Sequence, residues 1–181
     1  MKIISWNVNG IRAVQKKGFL DFLERESPDA LCVQETKISP AQITQELQNP
    51  ADYYSQWVSA NRPGYSGVAT FSKEKPLSVQ KELGNGRHDG EGRLLLTEFP
   101  GFVLVNVYIP NGGLGDHRIS YKLDFYDEML DFLEKLRGEG KNVVLCGDIN
   151  TAHEEIDLAR PKENETVTGF LPVERAWLDK F

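Results

Sequence analysis

The stretch Asn142-Val143-Val144-Leu145-Cys146-Gly147-Asp148-Ile149-Asn150 sets a compact apolar run against a turn that carries a carboxylate and an amide. An unbroken apolar run of this length, bounded by turn residues, reads as a strand buried on both faces. Residues 142–146 form that strand. Chemical groups collect where such strands stop, because the loop is free of ladder geometry while the sheet fixes its origin. In extended chain, residues two apart point the same way, so Asp148 and Asn150 can face one pocket.

Three more strand ends share this character. Residues 2–6 read as a short strand ending in Trp6-Asn7-Val8-Asn9-Gly10. Residues 30–34 are a second compact apolar strand, followed by Gln34-Glu35-Thr36-Lys37. Residues 93–99 and 102–108 flank Pro100-Gly101 and predict a hairpin that ends in Tyr108-Ile109-Pro110-Asn111. Residues 53–59, 67–71 and 77–82 also read as strands. Helices are predicted over 14–26, closed by Ser27-Pro28, and in a short segment capped by Ser39 and opened by Pro40. The clearest helix covers 119–137, with Ile119, Leu123, Tyr126, Met129, Leu130, Leu133 and Leu136 at helical spacing. Asp116 suits its N-cap, and Gly138 and Gly140 close it. Pro172 opens a final helix. No internal repeat or interdomain linker interrupts the pattern, so 1–181 reads as one α/β domain with helices covering sheet faces.

Composition narrows the chemistry. Lys and Arg number 21 against 27 Asp and Glu, a formal charge of -6. That excludes a DNA binder working through a uniformly basic surface, though a basic strip can still hold phosphates while carboxylates hold a hard cation. No apolar run reaches the ~18 residues of a membrane span. Met1 to Trp6 lacks the apolar core and cleavage site of a signal peptide, which makes cytoplasm the default compartment. Cys32 and Cys146 each sit inside an apolar strand and read as buried thiols rather than a disulfide framework.

The strand ends together supply Asn7, Glu35, Tyr108, Asp148 and Asn150. The set offers oxygen donors and amide N–H groups and has no Cys/His cluster. Zinc is disfavoured, and Mg²⁺ or Mn²⁺ suits it. Such a set matches phosphodiester hydrolysis, where a metal offsets developing charge and a carboxylate orients water. Taken singly, each residue has a plainer reading: Asn and Asp as turn formers, Tyr108 as a half-buried strand aromatic, Glu35 as a solvated side chain.

Six stretches in order carry more. They are Ser5-Trp6-Asn7-Val8-Asn9-Gly10-Ile11-Arg12-Ala13, Gln34-Glu35-Thr36-Lys37, Tyr65-Ser66-Gly67-Val68-Ala69, Glu91-Gly92-Arg93, Asn106-Val107-Tyr108-Ile109-Pro110-Asn111 and Gly147-Asp148-Ile149-Asn150-Thr151-Ala152-His153. Together they resemble the exonuclease III family of apurinic/apyrimidinic endonucleases, within the endonuclease/exonuclease/phosphatase superfamily. The resemblance implies a four-layered α/β sandwich of two mixed β-sheets flanked by helices. It implies Mg²⁺-dependent cleavage of duplex DNA 5′ of abasic sites, with removal of nucleotides or blocking groups from 3′ ends. Carried over by residue, Glu35 ligates the metal with Asn7 beside it, and Asp148 orients or deprotonates the attacking water. Asn150 donates to the scissile phosphate and Tyr108 supports it; Asp148 and Asn150 also border the metal. Arg12, Lys17, Tyr65 and Arg93 match positions that hold the DNA backbone. No obligate protein partner is implied.

The family pattern continues beyond the helix at Pro172 into further strands, a sugar pocket and a closing Ser-Asp-His motif. By that comparison the chain reads as incomplete at its C-terminus and, alone, feebly active or inactive. Asp116-His117 is a decoy for the closing motif, and His88 and His153 lack its context; His153 reads as a loop residue or as a support behind the Asp148/Asn150 motif. Two rival functions remain at this stage. One is a lipid or inositol phosphodiesterase of the same superfamily, disfavoured by Arg12 and Lys16-Lys17. The other is a non-catalytic DNA-binding or interaction fragment.

Overall fold

The computed structural model describes residues 1–84, 86–113 and 115–181. The chain divides into two compact units. The first holds Met1–Tyr108 with Leu136–Asp148, and the second Ile109–Lys135 with Ile149–Phe181.

The first unit carries both sheets. Its elements are β1 (Ile3–Asn7), α1 (Ile11–Gln15), α2 (Phe19–Glu26), β2 (Ala30–Gln34), α3 (Gln45–Gln48), β3 (Tyr54–Val58), β4 (Val68–Ser72), β5 (Ser78–Gln80), β6 (Leu94–Phe99) and β7 (Phe102–Tyr108). After α4 (Asp116–Gly138) the chain returns as β8 (Val143–Asp148). One sheet runs β1-β2-β4-β3, the other β5-β6-β7-β8. Both are mixed: β1∥β2 and β7∥β8 are parallel and the remaining pairs antiparallel. The predicted α/β class with two mixed sheets and flanking helices is therefore present.

Strand alternation sorts the two faces. Leu31 and Val33 of β2 and Ala69 and Phe71 of β4 pack with Ile11, Phe19, Leu23 and Leu47 of α1 to α3. The opposite face turns Ala30 and Cys32 toward Phe99 and Leu104 of the other sheet. Both cysteines are free. In the middle of this inter-sheet layer lies a buried amide pair. Gln34 Nε2 donates to Asn106 Oδ1 at 2.7 Å, and Asn106 Nδ2 donates to the Ala69 carbonyl at 2.9 Å. Polar groups buried so deeply must be paired, so these bonds fix how the two sheets meet.

Several elements differ from expectation for local reasons. The helix expected over 14–26 is two helices, because Gly18 (φ 92°) caps α2 in the left-handed region. The segment after Ser39 is a 3₁₀ turn, Pro40–Gln42, with Gln42 Oε1 accepting the Ser39 N–H at 3.2 Å. Asp116 lies inside the first turn of α4 rather than capping it, since the Arg118 N–H already bonds Gly115 O at 2.8 Å; the neighbouring Leu114 lies outside the described residues. The strand expected over 142–146 runs on through Gly147 and Asp148. Gly147 permits this: a Cβ there would sit 1.9 Å from Val107 O. The Pro100-Gly101 hairpin forms as read, with Phe99 opposite Phe102.

The second unit holds most of α4, α5 (Pro161–Asn164) and α6 (Pro172–Lys180). No helix among the described residues is long and apolar enough to cross a membrane.

Removing the inter-sheet amide leaves Ala69 O and Gln34 Nε2 each short of a partner. Asn106→Ala is expected to lower stability by about 2 kcal/mol. A urea midpoint that falls at unchanged slope will show it.

Candidate active site

The site is assembled by parity. Asn7 continues the inward-facing series of β1, Tyr108 that of β7 after Leu104 and Asn106, and Asp148 that of β8 after Cys146. Tyr108 and Asp148 are register partners at the ends of parallel strands. Asn7 pairs with Gln34 at the ends of the other parallel pair. All three side chains therefore emerge at strand C-termini into one space between the sheets.

Glu35 is the exception that completes the set. It follows Gln34, so simple alternation would send it to the helical face. Its backbone is left-handed instead (φ 54°), which redirects the side chain. Asn7 Nδ2 then donates to Glu35 Oε1 at 3.0 Å and to Asp148 Oδ2 at 2.6 Å. The Tyr108 hydroxyl donates to Glu35 Oε1 at 2.7 Å. Two carboxylates distant in sequence are thus both within a hydrogen bond of one nitrogen. Lys37 Nζ lies 2.7 Å from Glu35 Oε2 and also donates to Asn9 Oδ1.

Strain concentrates in the supporting loops. Asn9, Glu35, Lys37 and Ser66 are all left-handed without being glycine, a conformation that costs on the order of 1–3 kcal/mol each. Backbone bonds hold them: Gly10 N to Glu35 O at 2.7 Å, Ile11 N to Thr36 O at 3.0 Å and Lys37 N to Ser66 O at 2.8 Å.

Electrostatics follow the contacts. Burial raises the Glu35 pKa, but hydrogen bonds from Asn7, Lys37 and Tyr108 and the Lys37 charge outweigh it, and the group ends below its usual value. Glu35 is therefore ionised near neutral pH. Burial, then the hydrogen bond to Glu35 and its charge, push Tyr108 well above an ordinary phenol. Arg93 opposes that rise and Asp148 adds to it.

The backbone-binding candidates separate into two kinds. Arg12, on α1, and Lys17 are exposed. Tyr65 is half-buried and the Arg93 side chain is only 3% exposed. Arg93 donates to Glu91 Oε2 at 2.5 Å, to the Tyr65 hydroxyl at 2.6 Å and to the Tyr108 carbonyl at 3.1 Å. Its guanidinium lies over both tyrosine rings, 5.4 and 5.2 Å from their centroids. In this geometry Arg93 supports two tyrosines rather than presenting a free cation.

Asn150 belongs to the second unit. Extended geometry does not continue to it, because the strand ends at Asp148 and Asn150 is left-handed (φ 51°). Its Nδ2 donates to Ile109 O at 2.7 Å. Sequence reading missed what holds this loop. Lys122 Nζ donates to Asn150 O and Thr151 Oγ1, both at 2.6 Å, and to Glu174 Oε1 at 2.7 Å. The available signal was a lysine four residues before Tyr126, on the buried stripe of α4. That stripe is Lys122, Phe125, Tyr126, Met129 and Leu133, turned from the one drawn through Leu123 and Leu130. Lys37 was also missed as a partner of Glu35, although opposite charges two residues apart beyond a strand end hint at it.

The second unit also contains His153, Glu154 and Asp179, whose ligand atoms lie within 4.8 Å of one another. All three are partly or fully exposed, and they already pair: His153 Nε2 with Asp179 Oδ1 at 2.6 Å, Glu154 with Arg175 at 3.1 Å.

Comparison with known proteins agrees with this architecture. The family model "Endonuclease/Exonuclease/phosphatase family" matches residues 4–179. An exodeoxyribonuclease of Bacillus subtilis (strain 168) is 45% identical over 182 residues, spanning 100% of this chain and 71% of that protein. A DNA-(apurinic or apyrimidinic site) endonuclease of Dictyostelium discoideum is 42% identical over 183 residues, spanning 100% of this chain and 50% of that protein. The structure of an AP endonuclease from Archaeoglobus fulgidus superposes with a TM-score of 0.88 at 28% identity, over 99% of this chain and 69% of that one. The chain belongs to the endonuclease/exonuclease/phosphatase family, whose nucleases depend on a metal. It spans about seven-tenths of the Bacillus relative and half of the Dictyostelium one.

An exposed cation can be replaced without harm to the fold, whereas a buried support cannot. Arg93→Met is expected to cost roughly 2 kcal/mol by leaving the Tyr108 carbonyl and Tyr65 hydroxyl unpaired. Thermal unfolding beside Arg12→Ala, which should change little, makes the comparison.

Proposed function

We propose that this chain is a DNA-repair phosphodiesterase that uses Mg²⁺, or Mn²⁺ in its place. It cleaves duplex DNA 5′ of abasic sites and removes nucleotides or blocking groups from 3′ ends. The reading rests on one observation above the rest: the Asn7 amide joins the Glu35 and Asp148 carboxylates. A hard divalent ion needs converging oxygens of this kind. Glu35 and Asp148 would hold it, with Asn7 beside them. The bound ion would offset charge developing on the phosphate.

The remaining residues take roles that their surroundings allow. Asp148 orients the attacking water and accepts its proton. Tyr108 keeps its proton, donates a hydrogen bond to Glu35 Oε1 and supports the phosphate from beside the ion. Asn150 contributes an amide N–H to the scissile phosphate. Arg12 and Lys17, exposed near the first strand end, meet the DNA backbone, and Tyr65 does so on the support of Arg93. Relatives named for abasic-site and exodeoxyribonuclease activity support this substrate class over lipid phosphates. A DNA substrate fits the cytoplasmic compartment read from the sequence.

Cleavage is best followed with protein in excess, so that slow turnover is read. Abasic duplex should be cut with Mg²⁺ and left intact with EDTA, while an inositol phosphate should not react. Glu35→Gln and Asp148→Asn should each slow cleavage by at least about 10²-fold while duplex binding survives. Duplex binding with no cleavage by the wild-type protein would instead mean a non-catalytic module, and preferential inositol-phosphate turnover would mean the wrong substrate class. In binding titrations, Arg12→Ala and Lys17→Ala should each flatten the log–log salt dependence by roughly 0.9.

A further inference from the structure

The second unit contains an ion pair with no exposure at all. The Lys122 and Glu174 side chains are each 0% accessible and 2.7 Å apart. All three Lys122 N–H groups are used, on Asn150 O, Thr151 Oγ1 and Glu174 Oε1. Glu174 Oε1 also accepts from Thr168 Oγ1 at 2.9 Å. Its Oε2 accepts the Gly169 N–H at 2.6 Å and the Leu171 N–H at 3.0 Å. The pair therefore ties α4, the 149–151 loop, the 168–171 loop and α6 together.

Such a pair is a poor device for stability. Desolvating two charges often costs more than their attraction returns, and apolar residues of equal volume commonly do as well. What this pair does supply is direction. Asn150 is left-handed, a state that asparagine adopts more readily than other non-glycine residues and that Lys122 fixes here through its carbonyl. Lys122 grips the Asn150 carbonyl, and Tyr126 Oη donates to Ile149 O at 2.8 Å and lies 2.7 Å from Thr151 Oγ1. The Ala152 N–H bonds Gly169 O at 2.8 Å, within the segment that Glu174 anchors. Two consecutive carbonyls of this loop are thus fixed by buried side chains.

We propose that Lys122, locked by Glu174, is a positioning residue that sets the backbone of Asn150 and so aims its side-chain amide. The inference rests on the reading that Asn150 acts on the scissile phosphate. It adds that the aim comes from a buried charge pair on α4 and α6, elements that carry no proposed substrate contact.

A double-mutant cycle with abasic duplex and Mg²⁺, under single-turnover conditions, tests it. Lys122→Met should lower the saturating cleavage rate roughly ten- to a hundredfold, with half-saturation unchanged, because small misplacements of a reacting group carry penalties of this size. The same substitution in an Asn150→Ala background should cost nothing further. Where Lys122→Met fails to fold, Lys122→Met/Glu174→Gln, which leaves no orphaned charge, takes its place. Hydrogen exchange at the Ala152 amide should quicken in either variant. An undiminished Lys122→Met penalty in the Asn150→Ala background would mean that the pair acts by general stability alone, and the inference would fall. Full cleavage by Lys122→Met would also overturn it. Full cleavage by Asn150→Ala would instead overturn the role given to Asn150, and this inference with it.

Discussion

One amide nitrogen determines how the first unit is used. Asn7 Nδ2 reaches Glu35 and Asp148 at once, and those carboxylates come from the ends of strands in different sheets. Like charges brought together in a half-buried space repel, so the arrangement needs donors. Asn7, Tyr108 and Lys37 supply them around Glu35. The donors hold the Glu35 pKa below its usual value and keep the group ionised.

The sheets make that convergence possible. β1∥β2 and β7∥β8 end at neighbouring residues, so period-two alternation delivers Asn7, Tyr108 and Asp148 inward without special turns. Deeper in the same layer, Gln34 and Asn106 hold the sheets in register with one another. Gly147 lets β8 approach β7 closely enough for Asp148 to stand beside Tyr108. Glu35 departs from that alternation, and its left-handed backbone is held among backbone bonds.

The sequence showed much of this and missed what depends on side-chain direction. The strands β1, β2, β6, β7 and β8 were legible because apolar runs and punctuating Gly, Pro and Asn residues are local signals. Glu35 and Asp148 could be named as partners, but only through ordered motifs, since spacing carries no information across so many residues. Two local readings gave way where backbone turned left-handed. Gly18 split the helix expected over 14–26, and the extended run stops at Asp148, short of the left-handed Asn150. The burial of Arg93 and Lys122 was not legible for another reason. A long cationic side chain reads as surface, and burial with a full set of acceptors is a tertiary fact.

The central claim is that Glu35 and Asp148 grip a single divalent cation. Anomalous diffraction from crystals soaked in Mn²⁺ tests this directly. The account predicts a peak lying about 2–2.5 Å from oxygens of both carboxylates. A map with no peak there, or with Mn²⁺ held only by His153, Glu154 and Asp179, would contradict it.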